Sequence, residues 1–207
     1  MKQGGAERTV WLALSGFIGL ILVLGAVALW SGDGDEFPVI GTVPDFKLID
    51  SAGNAVTRAD FAGRVWVADF IFTHCVGVCP ILSARMAELQ RSLADRQLDV
   101  QLVSISVDPA RDSPEALAEY AGRFGADSAR WTFLTGERNA LYDLIGKGFL
   151  LSVSERSPEQ AGGSGDLITH SDRLVLVDRD AKIRGYYHGT DRGDVDRLIE
   201  DLEKITR

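Results

Sequence analysis

The segment Asp69–Pro80, DFIFTHCVGVCP, constrains the fold more than any other part of this chain. It overlaps the run Val65–Thr73 (VWVADFIFT), whose β-branched and aromatic residues predict a buried strand. Cys75-x-x-x-Cys79 follows at once, with Pro80 directly after the second cysteine. Proline is favoured at the first position of a helix, so Pro80 predicts a helix start with Cys79 at its N-cap. Ile81, Leu82, Met86 and Leu89 continue at helical spacing to about Arg91. Unpaired backbone N–H groups and the positive dipole end at that point favour a thiolate. Cys75 falls in the connecting loop, so the two sulfurs can converge at the sheet edge.

The sequence has two cysteines in all, which excludes a disulfide-dense secreted scaffold. The pair can close a disulfide or chelate one ion. Two thiolates are soft donors and suit copper(I). A closed zinc site usually wants four protein ligands, and a chain with only two Cys and three His argues against one. So short a loop gains little entropy from a purely stabilising crosslink. An accessible pair at a helix start instead reads as labile and functional. Of the histidines, His74 is turned away from its neighbour Cys75 by strand alternation and is assigned an outer role. His188, ending YYHG, reads as a solvent-exposed residue.

Around this segment the chain alternates strand-like and helix-like stretches. Phe46–Asp50 and Ala55–Thr57 flank Gly53-Asn54, a hairpin signal. Val100–Val107 reads as a second core strand, Ser113-Pro114-Glu115 as a capped helix start, and Gly125 as that helix's end. Trp131–Leu134 predicts a short strand, Asn139 to about Ile145 a helix, and Leu151–Asp166 mostly loop. Arg173–Val177 and Lys182–Tyr187 predict a hairpin, and a last helix from about Asp194 carries the stripe Val195, Leu198, Ile199, Leu202 and Ile205. This order predicts an α/β class with a mixed sheet covered by helices. A strand running into a cysteine pair at a helix start is the pattern of thioredoxin-like folds, here with an N-terminal β-hairpin extension. In that fold the position of His170, after the long loop and before a core strand, faces the cysteine loop, where a neutral imidazole completes a two-thiolate, one-imidazole site. Asp108, at the end of a core strand before Pro109, lies where α/β sites gather, though Asp-Pro is equally a turn signal. Phe70, Phe72 and Trp131 read as core.

Ahead of the domain, Trp11–Trp30 runs 20 residues without a charge. At about 1.5 Å per residue that matches a hydrocarbon core of about 30 Å. Lys2 and Arg8 precede it, and Asp33, Asp35 and Glu36 follow it. The positive-inside rule then puts the N-terminus in the cytoplasm and the rest outside. Ala26-Val27-Ala28 would also suit cleavage of a signal peptide, but the apolar stretch exceeds a typical signal core. The expectation is one transmembrane helix and cytoplasmic tip (residues 1–32), a Gly/Pro/acidic linker (33–44) and a folded domain (45–207). The setting is a bacterial inner membrane with the C-terminal domain in the periplasm. Outside residues 1–32 the chain carries 20 basic and 29 acidic residues, a net of −9, so nucleic acid is not an expected partner.

Three blocks, FTHCVGVCP, Ser106–Gly125 (SVDPARDSPEALAEYAGRFG) and Thr169–Asp178 (THSDRLVLVD), resemble the SCO/SenC family, in its order and at its separations. The similarity runs from about Pro44 to the C-terminal helix. It implies a thioredoxin-like copper protein that helps assemble the binuclear copper centre of cytochrome c oxidase. It also implies Cys75, Cys79 and His170 as ligands of Cu(I) or Cu(II). Asp108 and His74 are candidates for supporting positions. The implied partners are the copper-site subunit of the oxidase and a thiol reductant or another copper chaperone. Where many members have Pro-Asp after the first cysteine, this chain has Val76-Gly77, which removes a negative charge beside the site. The competing reading is an enzyme, a thiol-disulfide oxidoreductase or thiol peroxidase with Cys75 and Cys79 as its redox pair. The longer cysteine spacing and the absence of a proline near residue 170 argue against it. Copper sensing without delivery is a third possibility.

Overall fold

The computed structural model describes residue 11 and residues 37–151, 154–155, 168–169 and 171–207. Among these, the strands are β1 (Gly41–Thr42), β2 (Lys47–Asp50), β3 (Ala55–Thr57), β4 (Val65–Ile71), β5 (Val100–Ser106), β6 (Trp131–Thr135), β7 (Ser154–Glu155), β8 (Ile168–Thr169), β9 (Arg173–Val177) and β10 (Lys182–His188). The α-helices are α1 (Val78–Asp95), α2 (Pro114–Arg123), α3 (Arg138–Asp143) and α4 (Arg192–Ile205). The apolar stretch after Trp11 lies outside the described residues. Among those described, no helix is long and apolar enough to cross a membrane.

The main sheet runs β1-β10-β9-β4-β5-β6-β2-β3. β4 and β5 pair in parallel from Val65↔Val100 to Ile71↔Ser106, and β6 continues the parallel set beside β5. All seven residues of β4 and of β5 are buried. That fits their near-continuous apolar runs, because helices cover both faces of central parallel strands. β9 flanks β4 antiparallel and turns into β10. The expected N-terminal hairpin forms from β2 and β3 and joins the far edge through β6. Gly53 takes a positive φ of 85° in its turn, while the Asp50 carboxylate accepts the N–H groups of Ala52 and Asn54. Gly41 and Thr42, in the stretch read as linker, pair with Ile183 and Lys182. This is a thioredoxin-like mixed α/β arrangement preceded by a hairpin.

Helix punctuation follows local chemistry. Ser113 caps α2 by accepting the Ala116 N–H at 3.3 Å, with Pro114 at the first position. α3 runs on into a π-helical turn, Leu144–Gly148. A methyl group at Gly148 would come within 2.7 Å of Pro44 Cδ, so that turn needs its glycine for close approach. Phe149 then anchors the core edge-on to Trp66 and Phe70, and Trp66 stacks on Phe61. Within the expected loop 151–166, Ser154–Glu155 pairs with Ile168–Thr169, and residues 156–167 lie outside the described ones.

Candidate functional site

β4 ends at Ile71, two residues earlier than expected, because the chain turns there. The Phe72 carbonyl accepts the Cys75 N–H at 3.2 Å. α1 also starts earlier than Pro80 predicts. Gly77 is its N-cap, so Cys79 is the second helical residue and Pro80 the third. A proline is tolerated there because first-turn N–H groups have no acceptor within the helix. This corrects the expected role of Cys79. Its own N–H is one of those orphan donors, and it points to Cys75 Sγ at 3.4 Å. The helix terminus therefore serves the first sulfur rather than the second.

Both cysteines are reduced and buried, Cys75 at 6% exposure and Cys79 at 0%. The Cys79 thiol is pushed well above the ordinary range. Its hydrogen bond with Cys75 is the main cause, and burial adds to it. The expected thiolate at Cys79 is thus replaced by a thiol held protonated beside its partner. A cation entering between the sulfurs would displace that proton.

Polar side chains brace this loop from beneath. Asp112 is fully buried; one carboxylate oxygen accepts the Thr73 N–H at 3.1 Å and Thr73 Oγ1 at 2.7 Å, and the other accepts Ser106 Oγ at 2.6 Å. Burial drives the Asp112 carboxyl upward, outweighing those hydrogen bonds. One turn beyond Cys79, Ser83 and Tyr120 share a buried hydroxyl contact of 2.9 Å that ties α1 to α2. In β4, Asp69 accepts Ser104 Oγ at 2.5 Å, and Ser104 in turn accepts Trp131 Nε1 at 2.9 Å.

The remaining sequence candidates separate. His74 is exposed, its Nδ1 3.0 Å from Thr73 Oγ1. Asp108 is buried, its backbone N–H bonded to Ser106 Oγ and its carboxylate 3.5 Å from Arg111 Nε. Among the described residues, no three His, Cys, Asp or Glu side chains are grouped to hold a metal, so neither His74 nor Asp108 joins the cysteines in one. His170 lies outside the described residues. Phe70, Phe72 and Trp131 are core, as expected. His188 is half-exposed rather than free in solvent, with Nδ1 3.0 Å from both oxygens of Asp172.

Asp69, Asp112, Ser83 with Tyr120, and Asp172 with His188 escaped the sequence reading. Asp69 did leave a signal, since a carboxylate inside an otherwise apolar strand must find a buried partner. Asp112 left none, because RDSP before a helix reads as capping.

Comparison with known proteins places this geometry. Residues 38–207 match the SCO1/SenC family. A SCO1 protein homolog of Bacillus subtilis is 32% identical over 170 residues, covering 82% of this chain and 85% of that protein. The solved structure of BsSco, in which a disulfide switch was identified, is that of a member of the Sco family of cytochrome c oxidase assembly proteins. It superposes with a TM-score of 0.71 at 32% identity, covering 82% of this chain and 95% of the other. ScoI of Arabidopsis thaliana, solved with copper bound, gives a TM-score of 0.66 at 25% identity over 79% of this chain and 97% of that one. With residues 38–207 matched and relatives of the same fold covered over most of their length, the chain belongs to the SCO1/SenC family.

Proposed function

We propose that this protein is a copper metallochaperone that takes one copper ion through Cys75, Cys79 and His170 and delivers it to, or prepares, the binuclear copper site of cytochrome c oxidase. The observation that carries the reading is the meeting of two buried, reduced thiols where the strand passes into the helix, with the Cys79 N–H 3.4 Å from Cys75 Sγ. Two soft donors held together suit a soft monovalent ion. The relatives support the identity of that ion and of the acceptor, since ScoI was solved with copper and BsSco belongs to a family of oxidase assembly proteins. His170 supplies the third donor in this reading. Copper passes to an acceptor thiolate or imidazole by stepwise ligand exchange. Residues 11–30 anchor the chain in the bacterial inner membrane with the domain in the periplasm.

A second reading, thiol-disulfide exchange, draws support from the same proximity of thiols and from the disulfide switch of BsSco. Oxidation of Cys75 and Cys79 to a disulfide releases two electrons and two protons to a disulfide acceptor, which leaves as a dithiol. The two readings part on His170. The test is metal analysis of the reduced chain, together with sulfur-to-copper charge-transfer absorption on adding Cu(II). Intense visible bands lost in Cys75→Ser, with tight binding abolished in His170→Ala while disulfide exchange persists, establish the chaperone site. His170→Ala binding copper as tightly as wild type overturns the ligand assignment.

A further inference from the structure

Strand β4 stops one rung short of where its neighbour could carry it. β4 and β5 are in register to Ile71↔Ser106, and the Val107 N–H still donates to the Ile71 carbonyl at 2.9 Å. In a parallel ladder the next bond would run from the Thr73 N–H to the Val107 carbonyl. Instead the Thr73 N–H goes to the Asp112 carboxylate, 39 residues on, at 3.1 Å, and Thr73 Oγ1 donates to the same oxygen at 2.7 Å. The chain turns at once. The Cys75 N–H closes back on the Phe72 carbonyl at 3.2 Å, across Thr73, and the Cys79 N–H then meets Cys75 Sγ at 3.4 Å. Asp112 thus holds the point where the strand becomes the cysteine loop.

Asp112 is itself fixed from three sides. Its other oxygen accepts Oγ of Ser106, the last residue of β5, at 2.6 Å, and that hydroxyl accepts the Asp108 N–H at 3.0 Å. The N–H groups of Arg111 and Asp112 both donate to the Asp108 carbonyl, at 3.1 and 2.9 Å. The next residue, Ser113, caps α2. A fully buried carboxylate tied to β5, to its own turn and to a helix start cannot follow the loop, so the loop has to stay with it.

The two outcomes open to the cysteines differ in geometry. A disulfide draws its sulfurs to about 2.0 Å. Two sulfurs bound to one ion lie on different sides of it and stay farther apart. We propose that Asp112 is a positioning residue that locks the start of the cysteine loop in its reduced arrangement, biasing Cys75 and Cys79 towards taking an ion and against closing a disulfide. The inference rests on the copper reading above for its ion. Asp112 acts through Thr73. Without that carboxylate, Thr73 can take up the ladder position beside Val107, and the loop is free to contract. Outer contacts of this kind typically govern metal affinity by about 10–100-fold.

The experiment uses the full chain in mild detergent with Asp112→Ala, Asp112→Asn, Thr73→Val and Ser106→Ala. Readouts are Cu(I) affinity by competition with a chelator and the reduction potential of the Cys75/Cys79 couple by equilibration with reduced and oxidised glutathione. In that exchange the two thiols give up two electrons and two protons as their S–S bond forms, and the glutathione disulfide takes them up to leave as two thiols. Asp112→Ala is expected to bind Cu(I) about tenfold more weakly, at the lower end of such effects. It should also favour the disulfide about tenfold, a potential about 30 mV lower. Thr73→Val keeps the N–H bond and loses the hydroxyl bond. It should move both readouts the same way by less, and it stands in if Asp112→Ala does not fold. Asp112→Asn, whose amide oxygen can accept both Thr73 donors, should keep both near wild type. Ser106→Ala should lower the urea midpoint without moving either readout, because Thr73 retains its acceptor. Wild-type affinity and potential in Asp112→Ala and Thr73→Val overturn the proposal. So does Ser106→Ala moving both as far as Asp112→Ala, which would reduce the brace to general stability. A wild-type chain that takes up no copper overturns the copper reading instead, and the shift in potential then decides the brace alone.

Discussion

Cys79 has 0% exposure and shares a hydrogen bond with Cys75, so ionising it would place charge in a buried site beside a second sulfur. Its reactivity is the direct check. In the reduced, metal-free chain, Cys79 should react with iodoacetamide at pH 8 far more slowly than a peptide thiol and reach the peptide rate in denaturant. Peptide mapping by mass spectrometry would show this; rapid native labelling would contradict the raised thiol. Asp112 is the second informative residue. Asp112→Ala leaves the Thr73 N–H and two hydroxyls without their acceptor. Each buried donor so orphaned costs about 1–3 kcal/mol, which urea unfolding would measure. The cost should fall on the cysteine loop, because Thr73 is two residues from Cys75.

The elements carry their own tests. Ser113→Ala removes the α2 cap and should lower unfolding free energy by about 1 kcal/mol in the same assay. The short 3₁₀ turn Arg58–Phe61 is closed by Asp60, whose Oδ2 accepts the Thr57 N–H at 2.7 Å and Thr57 Oγ1 at 2.9 Å. Those bonds hold the Asp60 carboxyl below its usual value. The folded protein therefore binds this proton more weakly than the unfolded chain. The resulting stability is present above about pH 4 and is lost as pH falls through the folded value. Thermal midpoints of wild type and Asp60→Asn should differ at pH 6 and converge towards pH 2–3. A constant difference across that range would remove Asp60 from the account. Element existence was legible in the sequence for every strongly patterned stretch, with ends displaced by a few residues. At α1 the displacement had a consequence. Pro80 signals a helix start, but Gly77 caps it, and the first-turn N–H of Cys79 goes to Cys75.

For the molecule as a whole, the aromatic packing of Phe61, Trp66, Phe70 and Phe149 joins β4 to the far end of the π-helical turn. Phe149→Ala should cost about 3–5 kcal/mol by opening a cavity under the strand that carries the cysteine loop, read as a lowered denaturation midpoint. The sequence alone determined the class of fold, the cysteine pair at a strand-to-helix junction, the capped helices and the terminal hairpins. These are written in periodicity and in Gly, Pro and Cys spacing, which act over a few residues. Only the tertiary structure decided which polar groups are buried together. Thr73 meets Asp112 39 residues away, Ser104 meets Asp69 35 residues away, and His188 meets Asp172 16 residues away. No local pattern encodes such pairs, because they exist only once strands are in register and a carboxylate shut away from water has to take the donors that the sheet brings to it.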